Sequence, residues 1–357
     1  MSLFSPQAKS KGEAARGTLN CEMDIGRPVL LALCLVAFSA ARLQGQASIL
    51  YGEVNLLVGY SNQRGWIGEG NSLKNSVGME YLRRIANEYG DFLTLDVQAR
   101  LSYDTSDETD ERWAFELHNA WLDYRLGLGR IIRLGHFDTP FGLEPSVDTH
   151  SLLFQTLTMQ DIGFKQDWGV GYRSGLGSFD YEVAVGIGSG MGIARRDGSY
   201  LLSGRIGTPR GRQLRYGLSG LYGRVLAGMP DRTLPPPHFD HPAMLKKRIG
   251  ADIQYAANAF DVKGEATLGQ NEDSNVGGGL LQIDYTLPTL QILTLGAQVR
   301  SWTDDLNDAR RRYSALGLAA SYNVTPALAA RTAVIRDIEN PDKSETRAFF
   351  QVYYYGR

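Results

Sequence analysis

Cysteine is almost missing from this chain, and the position of its two copies matters more than their number. Cys21 and Cys34 both precede residue 48, in a stretch that reads as removable. What remains can hold neither a disulfide scaffold nor a thiolate metal site. Long apolar runs are scarce too: the longest, Pro28 to Ala40, is too short to cross a bilayer as a helix. No excess of basic charge is present. The 37 Lys and Arg stand against 39 Asp and Glu, which excludes a nucleic-acid partner held by a basic surface. The five histidines, at positions 118, 136, 150, 238 and 241, show no H-E-x-x-H spacing. His238 and His241 sit in a Pro-rich stretch that reads as a solvated surface loop. No G-x-S-x-G elbow is present, so a serine hydrolase lacks its usual cue. The glycine-rich stretch 186–192 closes an alternating segment and opens no helix, which excludes a nucleotide loop. The sequence thus points to no catalytic residue, no cofactor and no metal.

What the chain has is a two-residue rhythm. Phe179, Tyr181, Val183, Val185 and Ile187 alternate with Asp180, Glu182, Ala184, Gly186 and Gly188. Ile249, Ala251, Ile253 and Tyr255 alternate with Arg248, Gly250, Asp252 and Gln254. Successive side chains of a strand point to opposite faces, so each segment has one oily and one wet face. Many such segments of about ten residues predict a transmembrane β-barrel. The mean hydropathy of −0.24 suits an oily exterior averaged with a polar interior. The 41 glycines suit a curved sheet, and the 18 tyrosines suit a membrane interface.

Ahead of the rhythm, residues 23–47 read as a secretory signal. Met23 and Arg27 precede the apolar run, and Gly45-Gln46-Ala47 supplies the small residues of a cut site. Residues 1–22 read as an extension from a start codon placed too early, leaving 48–357 as the barrel.

Sixteen strands are predicted, at about 49–60, 75–85, 91–103, 112–126, 130–137, 166–173, 178–187, 199–207, 213–225, 245–257, 259–270, 275–286, 291–302, 311–322, 327–336 and 346–355. Even-numbered strands lead into short Gly-, Pro- or Asn-bearing turns. Odd-numbered strands mostly lead into longer links: 61–74, 104–111, 138–165, 188–198, 226–244, 303–310 and 337–345, with only 271–274 brief. Short turns on one rim and long loops on the other describe a barrel of the bacterial outer membrane, surrounded by its lipids. With the short turns in the periplasm, Tyr124, Tyr172, Tyr255, Tyr285, Tyr322 and Tyr354 fall outward at one height with Phe179, Tyr181, Tyr216 and Phe260. That ring predicts an interfacial girdle.

The longest link, 138–165, carries Phe141, Leu143, Leu152, Leu153 and Phe154, which would meet only water if it projected outward. It is therefore expected to fold into the lumen as a third external loop. Arg133-Leu134-Gly135-His136-Phe137-Asp138-Thr139-Pro140-Phe141-Gly142-Leu143-Glu144 resembles the G-x-F-x-x-P-F-G-L-E stretch of the phosphate-selective porin O/P family. Asn119-Ala120-Trp121-Leu122-Asp123-Tyr124-Arg125 is similar to the strand that precedes it there. The closing strand, with Ala348, Phe350, Val352 and Tyr354 on one face, resembles the aromatic terminal strand of outer-membrane proteins, though it ends on Gly356-Arg357.

The resemblance implies a homotrimeric outer-membrane channel, constricted by its third loop, that passes small hydrophilic solutes or ions. The pore-lining and constriction candidates are Arg125, Arg133, His136, Asp138, Glu144, Asp148, Arg173, Arg205, Arg215, Arg300 and Arg331. Arginines facing an acidic loop would set a transverse field and bias the ions, with anions the class an arginine-rich lumen favours. The alternative is that these charges pair across neighbouring strands and solvate the wall. The arginine ladder and lysine cluster of a dedicated phosphate channel are not evident, so phosphate selectivity is not carried over. Two other readings remain: a barrel that sheathes a partner such as an electron carrier, and an outer-membrane enzyme.

Overall fold

A computed structural model describes residues 47–70, 73–103, 112–127, 129–147, 152–160, 162–226, 232–234, 242–308, 311–340 and 343–357. The predicted signal and extension (apart from Ala47), as well as Asp148 and the 235–241 loop with its two histidines, lie outside these residues.

Sixteen wall strands, among the described residues, close one antiparallel barrel. The first four are β1 (Ala47–Ser61), β2 (Leu73–Asn87), β3 (Gly90–Tyr103) and β4 (Trp113–Gly127). Next come β5 (Arg130–Asp138), β6 (Gln166–Leu176), β7 (Phe179–Gly186) and β8 (Tyr200–Gly207). Then follow β9 (Leu214–Leu226), β10 (Ala243–Ala257), β11 (Phe260–Asn271) and β12 (Ser274–Thr286). The last are β13 (Leu293–Thr303), β14 (Arg312–Asn323), β15 (Leu328–Asn340) and β16 (Lys343–Gly356). Two short extended pieces, Gly65–Ile67 and Glu69–Gly70, lie in the first loop. Closure is direct: β1 pairs with β2 on one side and with β16 on the other. Every backbone edge of the wall can thus find a neighbour, as a bilayer requires.

Each predicted strand corresponds to one observed strand, and the alternation of turns and loops holds with one revision. The eighth external link, read as 337–345, is mostly strand, because β15 runs on to Asn340 and β16 starts at Lys343. The short-turn rim uses residues suited to left-handed backbone. Asn258 adopts φ 51° between β10 and β11, and Gly177 adopts φ 68° between β6 and β7.

The two faces separate by parity. Outward side chains such as Ile249 (68% exposed) and Leu218 (65%) meet lipid, while inward Gln98, Arg100 and Asp252 are buried in the interior. The ten predicted girdle aromatics all share the outward face with these apolar residues. A second ring, not anticipated from the sequence, lies at the loop end. There Tyr60 meets Trp66 edge-on at 5.7 Å, Tyr103 meets Trp113 at 4.9 Å, and Tyr200 meets Tyr222 at 6.2 Å. Two aromatic belts frame an apolar band, the geometry of a membrane-spanning barrel.

One sector of the wall is built differently. β5 pairs with β4 only from Gly127 up to Ala120, because beyond Asp138 the chain turns inward. The upper edge of β4 is closed instead by Thr233, whose N–H donates to the Phe115 carbonyl and whose hydroxyl accepts from the Leu117 N–H. The neighbouring link after β7 joins in: the Ile193 N–H donates to the Thr233 carbonyl, and Trp168 Nε1 donates to the Met191 carbonyl. Segments of two external loops thus stand in for the strand that left.

Candidate functional site

The site is the third external loop and the inner wall around it. The loop turns into the barrel, and three apolar clusters show its course. Phe141 and Phe164 pack on Leu201 and Leu221 of β8 and β9. Leu143, Leu157 and Ile162 pack on Val276 and Leu280 of β12. At the tip, Leu153 and Phe154 reach Leu57 of β1, Ala315 of β14, Ile335 of β15 and Phe349 of β16. Each buried side chain of this size contributes about 1.5–3 kcal/mol, so the loop is a packed element, not a flap.

Polar contacts fix the loop at intervals. The Thr139 N–H donates to the Lys165 carbonyl at 2.8 Å, closing its neck. The Gly142 N–H donates to Ser219 Oγ at 3.1 Å, and Gln298 Nε2 donates to the Gln155 carbonyl at 3.2 Å. Arg248 Nε donates to the Ile162 carbonyl.

The wall receives the loop through missing side chains. A Cβ on Gly317 would lie 2.5 Å from the Phe154 ring, and one on Gly250 would lie 2.9 Å from the Phe141 ring. Both glycines face inward and leave sockets for the two rings. Gly317→Leu is therefore expected to evict Phe154 while β14 keeps its pairing. The overpacking cost is about 1–3 kcal/mol, and limited proteolysis should then cut the loop near its tip. If the loop of the variant resists as the parent's does, the socket assignment is wrong.

The candidate residues fall into four situations. Arg125, Arg133, Arg173, Arg205, Arg215, Arg300 and Arg331 all take inward register positions. Arg133 gives two N–H groups to Asp123, at 2.6 and 2.9 Å, and stacks 3.9 Å over the Trp121 ring. Arg173 donates to the same carboxylate at 3.1 Å. Arg205 forks onto Asp252 at 2.9 and 2.6 Å. Arg331 donates to Gln351, while Arg300 lies beside Trp302 and is 3% exposed.

Glu144 is in the loop but turned away from open space. It is 2% exposed, and its carboxylate accepts from the Thr156 and Thr158 hydroxyls. An acidic loop facing the arginines is thus not displayed at Glu144, because local hydroxyls and the wall enclose it. Asp138 sits where β5 ends, paired in register with Gln166.

His136 requires a correction. It shares the outward parity of Ala120 and Trp168, has no exposed surface, and stacks 5.0 Å from the Trp168 ring. It fills the rebuilt sector of the wall and does not line the lumen. Its place next to the loop in sequence suggested otherwise, but strand parity puts Phe137, not His136, inside.

Sequence reasoning passed over three residues that organise the wall. Trp121 carries Arg133, Gln98 donates to Glu53 at 3.1 Å, and Gln298 holds the loop. The two-residue period already placed Trp121 beside Asp123 on the inner face. The other two are uncharged and gave no signal.

No protein-family model and no curated protein matches the sequence. Solved structures do match the barrel. The anion-selective porin of Comamonas acidovorans has a TM-score of 0.62 at 13% identity, over 87% of this chain and 99% of that one. OmpT, an outer membrane protein of Vibrio cholerae, has a TM-score of 0.60 at 12% identity, over 88% and 99%. The outer membrane channel DcaP of Acinetobacter baumannii has 0.56 at 13%, over 87% and 97%. The fold is that of an outer-membrane porin. Identities this low establish architecture alone, and the porin barrel with its two aromatic belts places the chain in the outer membrane.

Proposed function

We propose that this porin barrel is a passive channel for small hydrophilic solutes or ions, with the third loop as its constriction. The supporting observation is how the loop's apolar contacts are distributed. They run from β8 round to β1, while β4 to β7 contribute the charged inner residues Asp123, Arg133, Arg173 and Glu182. A solute passing the loop would face that polar sector, which can replace part of its hydration shell. Most of these charges pair across strands, so they hydrate and bias a solute without trapping it. No covalent step is involved.

Membership of the phosphate-selective porin O/P family is supported by the stretch around Phe137 and Phe141. Phosphate as the solute is not part of the proposal. Three copies in the outer membrane are the assembly proposed, and a trimer form of the Vibrio cholerae protein shows that this architecture can assemble so. Planar-bilayer recording on the purified barrel tests the reading. Stable open steps are expected, with a reversal potential in a salt gradient that moves toward cations when Arg125 and Arg173 are neutralised. A silent barrel that co-purifies with a coloured partner would sink it in favour of a sheath.

A further inference from the structure

The lipid-facing side of β8 to β11 carries no charge until its loop end. There Arg224 of β9 and Lys247 of β10 point outward, both exposed. Among the described residues they are the two charged side chains on that face of these four strands. Arg224 stands opposite Tyr200, and Lys247 opposite Tyr222, so both cations lie at the height of the upper aromatic belt. They are diagonal neighbours on adjacent strands, roughly 7–8 Å apart.

The protein does not neutralise this pair. One N–H of Arg224 donates to the Ala243 carbonyl at 3.2 Å, which leaves the rest of its fork to donate. No ion pair reaches either cation among the described residues. The flanking loops carry both signs: Arg195 and Arg196 precede β8 together with Asp197, while Glu272 and Asp273 follow β11. Glu272 is engaged locally, its carboxylate accepting the Leu245 N–H at 2.8 Å. The unmatched charge therefore belongs to the wall pair. An outward cation at this depth meets lipid headgroups, and it gains most where those are anionic.

The surface below suits an acyl chain. One rung beneath Tyr222 and Lys247, Gly204 and Gly220 stand side by side, with Ile249 next to them. Outside its chain neighbours, a Cβ on Gly220 would find no atom nearer than 3.9 Å, so the two glycines leave a shallow recess in the outer wall. Exposed Leu202, Leu218 and Ile249 border it.

Short turns face the periplasm and long loops the exterior, so this corner lies in the outer leaflet. We propose that it binds a phosphorylated amphiphile of that leaflet. The phosphate bridges Arg224 and Lys247, and an acyl chain lies over Gly204 and Gly220. The site stands on the barrel's place in the outer membrane and is independent of what passes through the lumen.

Native mass spectrometry of the folded barrel released from detergent tests the site, with lipid A, dephosphorylated lipid A and inorganic phosphate as probes. Lipid A is expected to bind about tenfold or more tightly than its dephosphorylated form. Arg224→Gln and Lys247→Gln should each weaken lipid A about fivefold, the scale of one cation at an anionic lipid surface. Both side chains are exposed, so the variants should fold, and heat-modifiable gel mobility checks that they do. Gly220→Leu fills the recess, leaves the charges in place, and should also weaken lipid A. Arg336→Gln is the control. That outward arginine of β15 lies between Leu316 and Thr346 with no second cation beside it, and its loss should leave the affinity nearly unchanged. Equal affinity for dephosphorylated lipid A would overturn the proposal. So would an unchanged affinity in the variant carrying both Arg224→Gln and Lys247→Gln, or an equal loss in Arg336→Gln. Displacement of lipid A by excess inorganic phosphate would reassign the pair to a free anion and overturn it as well.

Discussion

Excising residues 145–160 should raise single-channel conductance by about twofold or more while the barrel still folds. The deleted stretch holds Leu153, Phe154 and Leu157, which carry the loop across to β1, β12 and β14 through β16. The wall does not depend on it: strand pairing continues from β5 to β6 through Asp138 and Gln166, and the Thr139–Lys165 bond closes the neck outside the deletion. What the deletion removes is matter from the lumen. The exposed sockets, including Leu57, Ala315 and Phe349, would then face water. A fall in stability of several kcal/mol should accompany the gain in conductance. Planar-bilayer recording gives the first quantity, and urea titration followed by heat-modifiable gel mobility gives the second. Unchanged conductance in a variant that still migrates as a folded barrel would rule out the constriction role.

The barrel could be read in the sequence because its physics is local. A strand facing lipid on one side and water on the other must alternate, and Phe179 to Gly186 does so without any knowledge of its neighbours. The inward course of the third loop was readable for the same reason, since Phe141 and Phe154 have no other place to hide. What could not be read depends on pairing partners. His136 lies one residue from Phe137, and only the register with Ala120 and Trp168 shows that the two point to opposite sides of the wall. The sharing of Asp123 between Arg133 and Arg173 joins side chains fifty residues apart, across three strands. The upper aromatic ring was less legible: Tyr60, Tyr103, Trp113, Tyr200 and Tyr222 fall at the loop ends of expected strands, but Trp66 lies inside an expected loop and only the folded chain brings it against Tyr60. The closure of the β4 edge by Thr233 involves a loop residue with no periodic signal at all.

Asp123→Asn should both weaken the barrel and make it more anion-selective. The carboxylate is 3% exposed and serves two guanidinium groups, whose side chains are 17% and 29% exposed. Removing one partner of a buried pair costs about 3–5 kcal/mol. Partial exposure of Arg173 lets water compensate, so a loss of about 2–3 kcal/mol is the reasonable expectation. Asparagine keeps one oxygen, which preserves the shape of the site and limits collapse. The electrical effect has the opposite sign to the mechanical one: Arg133 and Arg173 lose the carboxylate that both hydrogen-bond, Glu182 stays as the acidic group across from Arg173, and the inner face of β4 to β6 becomes more basic near Arg125. In a salt gradient, the reversal potential should move toward the chloride limit, with less effect at high ionic strength because mobile ions screen the wall. Adding Arg133→Gln should return the potential most of the way and recover part of the stability, because it removes the charge that Asp123 had held most closely. If the stability losses of the two single variants instead simply add in the double variant, Asp123 and Arg133 act independently. The stacking of Arg133 over Trp121 would then be structural support with no bearing on ion preference.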